Sequence, residues 1–219
     1  MSSRIRLSCI ALPAMTAVFM LGCIDPKGDF DDFEDRAEEF EGNMPDAAPP
    51  ADTPPGGFVE VDGEFLLGIQ VAALPGSAPL RLVVTADTTP NKSGGGSTDL
   101  VFQALIADRC AMGMGGQDAG DPLPPVDDVP VNADGSFNVS QPGATVPGLA
   151  NPLTCSDIIA DIEFIGRTVR SDFICGDVAG MVMQPVMIGL AGSTFGAVQI
   201  ATGTRGDANL PPVVASCAE

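Results

Sequence analysis

Asp161 and Glu163 stand two residues apart in a stretch where Ile158, Ala160, Ile162 and Phe164 alternate with Asp157, Asp161, Glu163 and Arg167. Period-two spacing places both carboxylates on one face of a strand. Such a pair acts as acid and base when its surroundings drive the two pKa values apart, the chemistry of a carboxylate-based hydrolase. Here both belong to the polar face of an amphipathic strand, where solvated carboxylates are ordinary. The chain also has no Trp or Tyr to stack a sugar. A second acidic group, Asp118, Asp121, Asp127 and Asp128, shares one Gly/Pro-rich stretch and offers oxygens of the kind calcium takes, without the spacing of a calcium-binding loop. Cys110 with Met112 and Met114 is a soft-sulfur cluster of the kind that suits copper. No C-x-x-C spacing points to zinc. The absence of His removes Ser-His and Cys-His nucleophiles and imidazole metal ligands together. Lys27 and Lys92, the only lysines, sit in loop-like surroundings, which argues against a Ser-Lys nucleophile. We therefore assign no catalytic residue, no metal site and no cofactor.

The elements that would carry these residues read as strands. From Phe58 to Glu219 the pattern is period two with turn punctuation, long enough for one sizeable core. Phe65, Leu67, Ile69, Val71 and Ala73 alternate with outward positions, then Pro75-Gly76 turns the chain. Leu80, Leu82, Val84 and Ala86 form the next strand, and Leu100 to Ala107 the third. Asp108 to Asp128 reads as a long loop. Val129–Ala133, Asp134-Gly135 and Ser136–Ser140 make a hairpin, because Asp-Gly suits a turn with positive φ. Pro142 to Pro152 is too rich in proline for a central strand. Ile158 to Phe164 pairs with a strand bearing Ile174, Val178 and Val182, and Gly176 and Gly180 leave room for a bulge or close packing. Thr194 to Ala201 supplies the last strand. The fold class expected is all-β, an antiparallel sandwich. A small up-and-down barrel, lipocalin-like, is the alternative.

Ahead of this domain stands Arg4 and Arg6, then an apolar run from Ile10 to Leu21, too short to span a bilayer. It ends in Met20-Leu21-Gly22-Cys23. That ending resembles the lipobox of bacterial lipoproteins, with Met20 where the family prefers Leu. The resemblance implies a signal peptide over 1–22, a diacylglyceryl group on Cys23 and an acylated N-terminus. It also implies outer-membrane sorting, since Ile24 rather than Asp follows the Cys. Two or more acyl chains would hold such a protein at a membrane permanently. Residues 23–57 are acidic and then Pro-rich, and read as a disordered tether. Within it Phe30, Phe33, Ala37 and Phe40 share one helical face, a short helix over 29–41. The run from Val146 to Gly180 is similar to a pattern in uncharacterised secreted or outer-membrane β-domain lipoproteins, and brings no activity with it.

Ten basic residues against 29 acidic ones give a net charge of −19. Losing Arg4 and Arg6 with the signal would make the chain more negative still. Nucleic acid and anionic lipid are poor partners for such a surface. Once Cys9 departs with the signal and Cys23 carries lipid, Cys110, Cys155, Cys175 and Cys217 remain, an even number in an exported chain. Three pairings are open. We favour Cys175–Cys217, which ties the C-terminus to a strand, with Cys110–Cys155. The function expected is non-catalytic: a lipid-anchored envelope protein whose β domain binds a protein or envelope polymer, or scaffolds. A carrier of an apolar small ligand is the alternative.

Overall fold

The computed structural model of the chain describes residues 57–218. The signal over 1–22, Cys23, the tether as far as residue 56 and the 29–41 helix lie outside the described residues. Nine strands follow in order: β1 (Gly63–Gln70), β2 (Leu80–Pro90), β3 (Gly96–Ala104), β4 (Val126–Val131), β5 (Ser136–Val146), β6 (Ile158–Arg170), β7 (Phe173–Gln184), β8 (Ile188–Gly189) and β9 (Ser193–Ile200). A 3₁₀ turn at Gly148–Ala150 is the helical element among the described residues.

The strands hydrogen-bond antiparallel in the order β6-β5-β4-β3-β2-β1-β9-β7, and β7 pairs back to β6. Eight strands thus close into a barrel, with β8 added beside the far half of β7. The expected sandwich is corrected to the barrel alternative. The reason lies in β9, which pairs with β1 from Glu64↔Ile200 to Gln70↔Thr194. A sandwich would leave the first and last strands as free edges, and closure removes them.

Inward residues alternate as the sequence pattern requires. Phe65, Leu67, Leu82, Val84, Phe102, Val139, Phe164 and Phe195 belong to one buried cluster. Phe102 stacks on Phe164 with centroids 5.3 Å apart, and Phe195 meets Phe164 edge-on at 5.4 Å. Gly166 and Gly176 face each other across β6 and β7. A Cβ on either would strike the Phe195 ring, so the glycines make room for it. What space remains at the centre is about 20 Å³, in keeping with eight-stranded barrels, whose side chains just fill the interior. The outer wall carries exposed Asp99, Asp127, Asp161, Arg167 and Asp177. A barrel that spans a membrane has the reverse arrangement, apolar outside.

Two local expectations are also corrected. β5 continues through Pro142 to Val146, because the register shifts between Gln141 and Ala144 and the extra residues bulge out of the ladder. Gly143 there has φ +63, so a proline that would break a regular ladder is accommodated at a bulge. The third strand stops at Ala104 rather than Ala107. Leu105 makes only an isolated bridge to Asp118. Pairing is thinnest between β4 and β5, limited to Val131↔Phe137. Pro130 has no N–H to give, and Asp128 sits at φ +56 with its N–H bonded to the Asp99 carboxylate at 2.7 Å.

The two ends of the barrel differ. One carries the short turns 91–95, 132–135 and 171–172, and residue 57 leads into β1 there: the Phe58 N–H bonds the Ala133 carbonyl. The other carries the long connections 71–79, 105–125, 147–157 and 185–192. We refer to them as the turn end and the loop end.

After β9 the chain runs back along the outer wall. Gly68 and Gly196, partners across β1 and β9, leave a bare track on that wall. A Cβ on Gly68 would overlap Val213 and the Val214 carbonyl. The outward Leu66, Val83, Leu105 and Ile200 pack against Leu210 and Val213 of this strap. Thr194 Oγ1 donates to the Ala215 carbonyl at 2.7 Å. Cys217 is bonded to Cys175, which is fully buried beneath the strap.

Candidate functional site

Of the acidic residues singled out for chemistry, Asp161, Glu163 and Asp118 have structural partners. Asp161 and Glu163 both face out from β6. Asp161 Oδ1 accepts the Gly143 N–H at 2.7 Å and so holds the β5 bulge. Glu163 Oε1 accepts from Asn138 Nδ2 at 2.7 Å. They stand on a wall rather than in a cleft. The acidic loop group is scattered: Asp118 Oδ1 pairs with Arg205 Nε at 2.5 Å, Asp121 is exposed, and Asp127 and Asp128 lie on β4. Among the described residues no cluster of three or more His, Cys, Asp or Glu could hold a metal. Lys92 occupies the 91–95 turn, and Lys27 lies outside the described residues, as does Cys23.

The cysteines form two disulfides, Cys110–Cys155 and Cys175–Cys217, the favoured pairing of the three. Two such bridges belong to a chain that folds in an oxidising compartment. Cys110–Cys155 ties loop 105–125 to loop 147–157. The Ala107 N–H bonds the Leu149 carbonyl at 2.8 Å, and Arg109 Nη1 bonds the Pro152 carbonyl at 3.1 Å, along the same contact. Met112 and Met114 are exposed beside it and are not brought together with any other ligand-type residue.

An ion-pair group fastens the start of the strap. Arg205 Nη1 lies 3.2 Å from Glu64 Oε2, and Arg81 Nη1 lies 2.7 Å from Asp207 Oδ1. Burial works to raise the Glu64 carboxyl. The Arg205 hydrogen bond, the Gly203 N–H and the Arg205 charge outweigh it, and leave Glu64 below the ordinary glutamate range. The Arg205 guanidinium is penalised by burial, yet its bonds to Glu64 and Asp118 hold it above the ordinary arginine value. Both groups stay charged near neutrality. A depression of about 700 Å³ lies beside them, lined by Arg81, Asp108, Arg109 and Asp207. Arg81 there is paired with Asp207, Asp108 accepts the Gly113 N–H, and Arg109 donates to the Pro152 carbonyl.

What the structure assembles, and the sequence pattern did not announce, is an apolar slot at the loop end. It consists of two adjoining hollows. The inner one, about 60 Å³, is lined by Ile69, Leu80, Val146 and Leu190 among others. The outer one, about 100 Å³, is lined by Leu74, Pro185, Val186 and Ile188. Val71, Leu153, Ile158 and Val182 wall both. Asn151 also lines them, and its amide is spent within its own loop. Its Nδ2 donates to Thr154 Oγ1 at 2.7 Å and the Ser156 carbonyl at 2.8 Å, and its Oδ1 accepts the Leu153 N–H at 3.0 Å. The slot opens beside Val186 and Met187, which are 62% and 72% exposed.

A sequence signal for this slot does exist. The runs 65–80, 135–156 and 178–204 contain no charged residue, in a chain of net charge −19. Each run supplies one connection of the loop end, 71–79, 147–156 and 185–192 respectively. A comparison with protein-family models, with curated proteins and with solved structures found no match to this chain.

Proposed function

We propose that this chain is a non-catalytic, lipid-anchored protein of the cell envelope. Acyl chains on Cys23 hold it at a membrane, most simply the outer membrane, and its barrel is a binding module that presents the loop end to a protein or envelope polymer. The observation that carries this reading is the asymmetry of the barrel. Of the eight exposed large apolar side chains among the described residues, Met112, Met114, Leu149, Met181, Met183, Val186 and Met187 all lie at the loop end or the adjoining half of β7, and only Ile165 does not. The chain leading from Cys23 joins the barrel at the opposite end. A tether fixed at the turn end leaves the apolar end free to meet a partner. Apolar residues gathered on one face are the usual mark of an interaction surface.

The carrier alternative draws support from the closed barrel of eight antiparallel strands. Its ligand would have to use the loop-end slot, since the centre of the barrel offers about 20 Å³ against roughly 300 Å³ or more in small-molecule sites. The hydrolase alternative would need Asp161 and Glu163 to converge on a cleft, and they are engaged by Gly143 and Asn138 on the outer wall instead.

Intact mass of the membrane-extracted protein, before and after reduction, tests the reading. The expected result is acyl mass on an N-terminal Cys23 and a gain of four protons on reduction. A bare Cys23, or an N-terminus elsewhere, overturns the anchor.

A further inference from the structure

We propose that the loop-end slot binds the end of an uncharged, unbranched alkyl chain. This rests on the carrier alternative above, which it deepens by naming the ligand class for that end of the barrel.

Shape argues for a chain. The two hollows adjoin through the shared walls of Val71, Leu153, Ile158 and Val182, and beyond those walls one reaches Ile69 and Leu190 while the other reaches Val186 and Ile188, so the space runs from the packed core to the rim. Its inner limit is set by Leu190 and Ile69 at the top of the packed core, and its outer limit is the opening at Val186 and Met187. Taken together, the hollows of about 60 and about 100 Å³ match in size the apolar cavity of about 150 Å³ that takes up benzene or xenon. A short run of methylenes fits there, whereas a sterol or a whole lipid would not.

Charge argues for an uncharged end. Elsewhere this chain is strongly acidic, and the walls of the slot come from the three charge-free runs together with the inward face of β6. No guanidinium or ammonium lines either hollow to receive a carboxylate or phosphate. The one polar side chain with an amide there, Asn151, has its donors and its acceptor bonded to its own loop. A ligand head that carries charge must therefore stay outside. An apolar chain that enters leaves no buried polar group unpaired, so the cost that usually sets specificity at polar sites is absent.

The slot is also held open by covalent structure. Leu153 belongs to the 147–157 loop, which the Cys110–Cys155 bridge fixes against loop 105–125. The opposite wall, 71–79, is pinned by the Ala72 N–H on Ser193 Oγ at 3.0 Å, and by Ser77 Oγ on the Leu74 carbonyl at 2.8 Å.

A homologous series of 1-alkanols, from butanol to decanol, tests the proposal on residues 23–219 with Cys23→Ser, exported behind a signal peptide that is cleaved without lipidation, so that no acyl chain or detergent is present. Methyl NMR reads the site. Saturable shifts are expected at Val71, Leu153, Val182 and Ile188, with Leu67 and Val84 at the barrel centre unmoved. The dissociation constant should fall about fourfold per added methylene, the factor that follows from burying one CH₂, and then level off once the slot is full. Val186→Asp puts a charge at an exposed lip, where folding is not at stake, and should weaken hexanol binding at least tenfold. Ile165→Asp, exposed on the outer wall away from the slot, should leave it unchanged. Three results would overturn the proposal: no saturable shift, equal loss in the two Asp variants, or binding of the globular 1-adamantanol as tight as that of 1-decanol. Failure here leaves the lipid anchor standing, since that is read by mass on the native protein. A bare Cys23 would in turn leave alkanol binding standing.

Discussion

At the turn end β2 passes to β3 through 91–95, and β6 to β7 through Ser171 and Asp172, so each strand hands directly to its neighbour. At the loop end the same strands are joined by 71–79, 105–125, 147–157 and 185–192. A disulfide, a 3₁₀ turn and an extra two-residue strand are needed there to organise the connections. The outer wall beneath the strap shows a third solution, in which a segment with no strand of its own is clamped by ion pairs and a bridge to Cys175. The contrast separates two uses of a covalent tie. Cys175–Cys217 holds a strap over apolar surface that has no other cover, whereas Cys110–Cys155 holds two loops around a space.

The sharpest way to break that contrast is to cut each bridge alone. They span 42 and 45 residues, so loop-closure entropy in the unfolded chain favours them almost equally, at about 4 kcal/mol each. Unequal losses must then arise in the folded state. Without Cys175–Cys217 the strap can loosen only by exposing Leu66, Val83 and Ile200, so little entropy is regained. Cys175→Ala/Cys217→Ala should cost about 3–4 kcal/mol, a fall in Tm of roughly 6–15 °C. Without Cys110–Cys155 the two loops can open locally while the barrel stays closed, and the regained freedom offsets part of the loss. Cys110→Ala/Cys155→Ala should cost about half as much, and the damage should appear at the slot methyls of Leu153. Equal Tm losses from the two variants would erase the distinction.

A single methyl group sharpens it further. Gly68→Ala drives a Cβ into Val213 and the Val214 carbonyl, and overpacking of this kind costs about 1–3 kcal/mol. Gly189 at the loop end has no atom within 4 Å of an added Cβ. Gly189→Ala should therefore stay within about 0.5 kcal/mol of the parent. Urea unfolding of the two variants checks the pair. If both are neutral, the strap does not lie on the Gly68–Gly196 track.

Much of this is legible in the residues themselves. Alternation in 65–69, 82–86 and 158–164 marks the inward faces correctly, although the outward Leu66 and Val83 are covered by the strap rather than wet. Closure was not legible. It depends on β9 meeting β1, a pairing across more than a hundred residues that no local pattern encodes, and the long connections resembled those of a sandwich. The Pro142 strand was missed because proline disfavours a ladder in general. Here Gly143 beside it, anchored by Asp161, turns the interruption into a bulge. The slot was missed for a different reason. Leu153 lies in the 147–157 connection, Val182 on β7 and Ile188 on the two-residue β8, so no single period joins them. Only the absence of charge over 65–80, 135–156 and 178–204 pointed to them, and absence is a signal that motif reading passes over.

The smallest expected effect concerns the ion pairs at the start of the strap. Glu64 is held below the ordinary glutamate value near 4.5 in the folded chain. Its contribution is therefore fully present above that value and is lost as the pH falls through the lower, folded one. Paired side chains near a surface contribute about 1 kcal/mol or less, so Glu64→Gln should lower Tm by only a few degrees at pH 7. As the medium is acidified, the difference between the parent and Glu64→Gln should shrink. It should vanish once the parent's own carboxyl is protonated, since an uncharged Glu64 and a Gln then offer Arg205 the same thing. The loop end contains no comparable pair in its slot walls, so Val186→Ser should show no such pH-dependent convergence. A Glu64→Gln deficit that persists unchanged at pH 2.5 would mean the side chain acts through packing under the strap rather than through charge.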